Sequence, residues 1–342
     1  MTPSVEAALE DLGASVPEPS DARLKQRLHD VESLLGDDLI WVEQAMSQAA
    51  TQGPAPATDA ARHLISRGGK RVRPVALLLS AACFGPIPAV ARELSIVTEL
   101  LHSATLLHDD VNDEGMERRG APTARLLYGN AVSVLAGDLC LVQALERTLA
   151  HAPALMAELV ATIRALVHGE IIQLRGRRTL DVSEQTYEAI LRGKTASLFA
   201  WATSTGAHLA GASSHDQRRL RAFGERIGIA FQLVDDVLDY SGERTGKTLL
   251  SDLKEGKLTL PLVLTVAAQP ELLELLRRIH AGDQEPVELV SHRVIESGSC
   301  EVVRRRAQRL TEEAVRQLEE LPPSAARHLL QDVALQLSLR AV

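Results

Sequence analysis

Aromatic side chains are scarce: 4 Phe, 2 Trp and 3 Tyr, 3% of 342 residues. A core with so few rings must be built from Ala, Leu, Val and Ile, which favours helices over sandwiches and barrels. Cysteine is sparse too. Cys83, Cys140 and Cys300 lie far apart with no C-x-x-C pair, which argues against a disulfide framework or a Cys-ligated zinc site. Each is expected to behave as a small buried hydrophobe. Basic charge is in the minority, 37 Lys and Arg against 45 Asp and Glu, for a net charge of −8. The basic footprint of a nucleic-acid binder is therefore missing. Apolar runs such as Val75–Phe84 and Leu260–Ala268 fall short of the roughly 20 residues that span a bilayer. The opening MTPSVEAALEDLG has no basic stretch leading into an apolar one, so no secretory signal is read. The expectation is a soluble, cytoplasmic protein.

What is present is helical periodicity over a hydrophobic content of 45%, too high for a disordered chain. Residues 1–22 read as a mobile tail and 23–342 as one helical domain. Thr58 is placed as an N-cap, with its helix stopping at Gly68-Gly69. Pro74 suits the first position of the next helix, which ends at Gly85. Pro88 opens a helix with Val90, Leu94, Val97, Leu101, Ala104, Leu107 and Val111 at spacings of three and four. Similar patterns fill 131–150, 153–174, 184–211 and 215–241, and helices resume from about 258. No alternating strand pattern and no internal repeat is found. The fold class predicted is all-α, a single bundle of about a dozen helices.

Two acidic segments end apolar helices. Asp109-Asp110-Val111-Asn112-Asp113 and Asp235-Asp236-Val237-Leu238-Asp239 both spell D-D-x-x-D. On a helix the outer aspartates stack one turn apart, and the middle one is rotated to the side. Carboxylates crowded at a helix C-terminus repel each other and the macrodipole, so local stability offers no reason for them. Either motif alone could be a solvated helix end. Two copies point instead to hard divalent cations, because magnesium takes one or two carboxylates plus substrate phosphate oxygens.

The basic residues complement them. Gly68-Gly69-Lys70-Arg71-Val72-Arg73-Pro74 sets three cations in a turn before a helix start, where free N–H groups also favour anions. Arg118 and Arg119 follow the first acidic motif. Lys194-Thr195, Lys247 and Lys257 sit beside Gly193, Gly246 and Gly256. Together they suggest a substrate with two or more phosphates. Arg175, Arg177, Arg178, Arg304, Arg305, Arg306 and Arg309 are expected on exposed faces. His102 shares a face with Asp109; packing and binding roles are both open for it.

In these motifs the chain resembles the trans-type polyprenyl diphosphate synthases over roughly residues 25–342. Gly68–Pro74 is similar to the family's G-G-K-R-x-R-P element, and Asp109–Asp113 to its first aspartate-rich motif with Arg118-Arg119 behind it. Lys194-Thr195, Phe231-Gln232, Asp235–Asp239, Gly246-Lys247 and Asp252–Pro261 fit its later elements. The resemblance implies that Lys70, Arg73, His102 and Arg119 bind isopentenyl diphosphate. It implies that Arg118, Lys194, Thr195, Gln232, Lys247 and Lys257 hold an allylic diphosphate. Asp109, Asp113 and Asp235 would be the main magnesium contacts, with up to three ions per site, and Asp110, Asp236 and Asp239 would assist. It further implies a deep central cavity and a homodimer. Transient membrane contact for release of an apolar product stays open. A terpene cyclase or squalene-type synthase would not need Gly68–Pro74. A non-catalytic partner subunit would be expected to have lost some of these residues.

A five-carbon unit is about as long as one helical turn, roughly 5 Å, so the product should run from Asp109 down its helix. Thr105 is one turn below, Ala104 beside it and Leu101 two turns down. Small residues at 104 and 105 leave the cavity open, and Ala104–Asp110 resembles the long-chain, octaprenyl-type members. A product of about thirty to fifty carbons is expected on that helical spacing, with a twenty-carbon product as the alternative.

Overall fold

The computed structural model describes residues 21–241 and 250–339, and proline stands at the N-cap of several of its helices, as at Pro56, Pro88 and Pro286. Helices run α1 Asp21–Ala49, α2 Ala57–Ile65, α3 Val72–Ala82 and α4 Ala89–Asn112. A two-stranded antiparallel hairpin follows, β1 Glu117–Arg118 and β2 Ala121–Pro122. Next come α5 Ala124–Tyr128, α6 Asn130–His151, α7 Met156–Thr179 and α8 Glu184–Leu191. A π-helical turn, Arg192–Ala196, leads into α9 Ser197–Leu209 and α10 Ser214–Ser241. The rest is α11 Ser251–Lys254, α12 Leu260–Ala268, α13 Leu272–His280, α14 Val287–Glu296, α15 Ser299–Glu319 and α16 Ala325–Leu339.

The all-α prediction holds, with local corrections. Thr58 lies inside α2, whose N-cap position is Pro56. Pro74 is the third residue of α3, not the first; its missing N–H still falls within the first turn, where no helical partner exists. Pro88 is the N-cap of α4. The stretch read as one pattern over 184–211 is split by the π-turn, and the hairpin was not foreseen. Cys83 and Cys140 are buried as expected, whereas Cys300 is half-buried.

The main apolar core joins α1 to α7 with α9 and α16, through residues such as Leu77, Leu94, Leu100, Phe199 and Trp201. Helix α9 is buried nearly throughout and packs between α3 and α10. The close crossing with α10 requires Gly224: a Cβ there would lie 2.3 Å from Thr203 Oγ1 and 2.5 Å from the Phe199 carbonyl. Two smaller clusters hold the C-terminal helices, one around Tyr187, Val234 and Val303, the other around Leu253, Leu276 and Val290. Among the described residues no helix is long and apolar enough to cross a membrane. Helices α6 and α7 leave Leu135, Val142, Leu149, Val160, Val167 and Ile171 exposed.

Candidate active site

A cavity of about 1740 Å³ opens where the C-terminal parts of α4 and α10 meet the turns before α3 and after α11. On α4 the apolar residues Leu94, Val97, Leu101, Ala104 and Leu107 are buried. The adjoining face gives His102, Thr105, Asp109 and Asp113 to the cavity wall. From α10 come Gln232, Asp235 and Asp236; Lys70 and Arg71 come from the turn before α3, Arg73 from its first turn, Arg118 and Arg119 from the hairpin and Lys257 from the turn after α11. Both aspartate motifs and the basic turn thus open on one chamber. Lys247 lies outside the described residues.

The first motif is held by cations. Asp109 Oδ2 is 3.1 Å from Lys194 Nζ, whose other partner is Glu170 Oε2 at 2.5 Å. Lys194 belongs to the π-turn, which approaches α7 closely: a Cβ on Gly169 would lie 2.6 Å from the Lys194 backbone nitrogen, and one on Gly193 would lie 2.7 Å from the Ala165 carbonyl. Two glycines therefore let the amine reach across, a common use of π-turns at functional sites. Asp110 is buried and accepts from Arg118 Nε at 2.7 Å. Asp113 accepts from Arg177 Nη1 at 2.7 Å and lies 3.0 Å from Lys257 Nζ. Burial alone would raise the Asp113 carboxyl, but Lys257 and Lys194 hold it below the usual carboxylate range. Burial raises Glu170 and outweighs the pull of Lys194.

The second motif divides its labour. Asp235 lines the cavity, and its charge reaches Arg73. Asp236 is buried under three donors: Tyr187 Oη at 2.6 Å, Gln232 Nε2 at 3.0 Å and the Leu260 amide at 3.3 Å. Burial, with Asp252 nearby, pushes its carboxyl up to about 7. Asp239 accepts from the Ser251 amide and hydroxyl at 3.0 and 3.1 Å and from the Asp252 amide at 3.2 Å. Those bonds stitch the chain back onto α10. Asp110, Asp236 and Asp239 thus spend their oxygens on protein donors.

The basic turn divides likewise. Arg71, left-handed at φ 45°, turns inward: Nη1 donates to Glu99 at 2.8 Å, and Nε and Nη2 both donate to Glu43. Arg73 is half-buried with its guanidinium 4.7 Å from the Phe199 ring centre, and its buried Nε has no hydrogen-bond partner among the described residues. Burial lowers Arg73, and burial with the neighbouring Arg71 and Arg118 brings Arg119 down to about 10. His102 is held far below its ordinary value by burial and by Arg73, Arg119, Arg118 and Arg71, so it is neutral. Thr195 Oγ1 donates to Gln232 Oε1 at 3.1 Å.

Three sequence expectations need correction. Leu101 and Ala104 are not among the residues lining the cavity; both are buried in the apolar core, where neighbouring helices cover them, Leu101 although it lies one turn from Thr105 on the same face. Arg177 is not a surface decoration: it bonds Asp113 and, through Nη2 at 2.5 Å, the Glu255 carbonyl. Arg175 and Arg178 are exposed as expected. The sequence reading missed Glu170 and Gln173, both on α7, although Gly169 beside them signalled a close approach.

A family model described as Polyprenyl synthetase matches residues 55–296. The chain belongs to the polyprenyl synthetase family. It is 36% identical over 307 residues to an all-trans-nonaprenyl-diphosphate synthase (geranyl-diphosphate specific) of Rhodobacter capsulatus, covering 88% of this chain and 94% of that one. It is 33% identical over 309 residues to the octaprenyl diphosphate synthase of Escherichia coli, covering 89% and 96%. The fold superposes on a polyprenyl synthase from Caulobacter crescentus, crystallised with calcium and isoprenyl diphosphate, with a TM-score of 0.85, 33% identity, and 92% and 98% coverage. Prenyltransferase chemistry comes with that family.

Proposed function

We propose that this polyprenyl synthetase condenses isopentenyl diphosphate stepwise onto an allylic diphosphate to a long-chain product, of the class named for its nonaprenyl and octaprenyl relatives. The observation that carries this reading is the convergence of both aspartate motifs and the arginine-rich turn on one cavity. Asp109, Asp113 and Asp235 would hold magnesium. Their donors are all oxygen, the type this ion prefers, and the positions beside Asp109 and Asp113 already carry cations in Lys194 and Lys257. When bound, divalent ions neutralise charge developing on a departing diphosphate.

The protein's own groups do the rest. Lys194, Lys257 and Arg118 supply fixed positive charge for the allylic diphosphate, so its departure costs little reorganisation. Thr195 and Gln232, paired to each other, add polar contacts there. Lys70, Arg73, Arg119 and the neutral His102 form a second anion pocket for isopentenyl diphosphate. The allylic carbon–oxygen bond breaks, the isopentenyl double bond attacks the resulting cation, and a proton is lost to the released diphosphate. Apolar walls such as Leu106 and Phe231 shield the cation from water. The elongated chain keeps the diphosphate that isopentenyl diphosphate brought.

The relatives' names, nonaprenyl and octaprenyl, support the long product. The apolar side chains that α6 and α7 leave exposed support a homodimer, since a second copy would cover them. The test is diphosphate release from farnesyl and isopentenyl diphosphates. We expect release with magnesium and none after chelation; release unaffected by chelation would overturn the metal assignment.

A further inference from the structure

Glu99 takes no part in the chemistry above, yet it is a buried carboxylate on the cavity wall, its side chain 3% exposed. Among the described residues it bonds Arg71 through Oε2, at 2.8 Å. Arg71 does not depend on that bond for its place, because Glu43 grips the guanidinium through both Nε and Nη2. One cation is therefore matched by two anions, leaving one negative charge over. The cations near it without a described carboxylate bond are Arg73 and Arg119. Arg119 donates to the carbonyls of Leu64 and Gly68, and Arg73 stacks on Phe199 with its Nε unpartnered among the described residues. The charge of Glu99 acts on both, opposing the effect of burial. Charges in such a buried cluster are weakly screened and interact strongly.

The reaction gives that surplus charge a use. Each condensation leaves the elongated chain carrying the diphosphate held by Lys70, Arg73 and Arg119. Before the next ionisation that group must move to the aspartate site. A pocket of uncompensated arginines would hold it too long. We propose that Glu99 is an internal counter-charge that weakens the pocket's grip on diphosphate, so that the product's diphosphate leaves after every cycle. The proposal rests on the assignment of Lys70, Arg73, His102 and Arg119 to isopentenyl diphosphate. It makes Glu43 the anchor of the turn and Glu99 its moderator, a positioning residue that touches no substrate.

The test is calorimetric binding of isopentenyl diphosphate in EDTA, which silences any metal-dependent site, on the wild-type chain, Glu99→Gln and Glu99→Asp. Glu99→Gln keeps the shape and removes the charge; binding should tighten about threefold to tenfold on removal of one buried counter-charge. Its KM for isopentenyl diphosphate should fall, kcat should fall with it, and products should shorten. Glu99→Asp keeps the charge and should bind within about twofold of wild type, on the same electrostatic argument. If Glu99 were only a brace, both variants would bind more weakly. Unchanged or weaker binding by Glu99→Gln overturns the proposal. Should that variant not fold, Glu99→Asp decides, weaker binding overturning it. A wild-type chain that binds no isopentenyl diphosphate would refute the pocket assignment itself, and the proposal with it.

Discussion

Arg177 donates to Asp113 at 2.7 Å from one terminal nitrogen and to the Glu255 carbonyl at 2.5 Å from the other. One side chain thereby ties the last carboxylate of the first motif to the loop that follows the second. His280 braces the arrangement by donating to the Arg177 carbonyl, 3.0 Å away.

Removing that tie should loosen Asp113 without touching substrate. Arg177→Gln is expected to lower turnover about tenfold to a hundredfold, the usual cost of losing the partner that orients a ligand. It should also raise the magnesium concentration needed for half-maximal rate. A magnesium titration of the variant checks both; an unchanged titration would make Arg177 a bystander.

The aspartates should separate into two groups. Asp109→Ala and Asp235→Ala should each cut turnover by about a thousandfold or more, the scale of lost electrostatic stabilisation, with little change in melting temperature. Asp239→Ala should act first on stability, because its carboxylate satisfies two backbone amides and a hydroxyl at the start of α11. A loss of about 1–2 kcal/mol is expected, as for a missing helix cap. Thermal melts alongside rates separate the two outcomes.

Product length should answer to Thr105, which lines the cavity. Thr105→Phe is expected to shorten the product to about fifteen or twenty carbons, one helical turn below Asp109, while turnover persists. Ala104→Phe should instead destabilise the fold by about 1–3 kcal/mol, since that site is packed core. Chromatographic sizing of the Thr105→Phe product decides; a full-length product would refute a length-limiting role for Thr105.

His102 sets a pH dependence. Its imidazole is held far below its usual value by burial and four arginines, so the folded chain stays unprotonated where the unfolded chain takes up a proton, below about pH 6.5. The unfolded state then binds more protons, and stability must fall as pH drops through that region. His102→Gln should flatten this slope. Melting temperatures between pH 7.5 and 5 check it; an equal slope in the variant would contradict the assignment.

Much of this site was legible before the fold. Asp109, Asp113, Asp235, Arg73 and Lys194 stand out because charged groups at apolar helix ends need a ligand to explain them. Pro88 and the spacing of Leu94 to Leu107 gave the central helix. Side-chain partnerships across long separations were not legible. Arg177 reads like its exposed neighbours Arg175 and Arg178, because a helical period cannot say which arginine meets an aspartate 64 residues away. Arg71 reads like Lys70 and Arg73 until its left-handed backbone turns it onto Glu43 and Glu99. Ala104 was assigned to the cavity by counting turns, and packing of the neighbouring helices placed it in the core. The π-turn at Arg192–Ala196 leaves no mark in a pattern of apolar spacing.

The most direct test is incubation of the purified chain alone with farnesyl diphosphate, labelled isopentenyl diphosphate and magnesium, with products sized by chromatography. Successive condensations in one chamber predict a ladder ending near forty carbons, about eight five-carbon units at roughly one helical turn each. Folded protein that adds no unit would contradict the account.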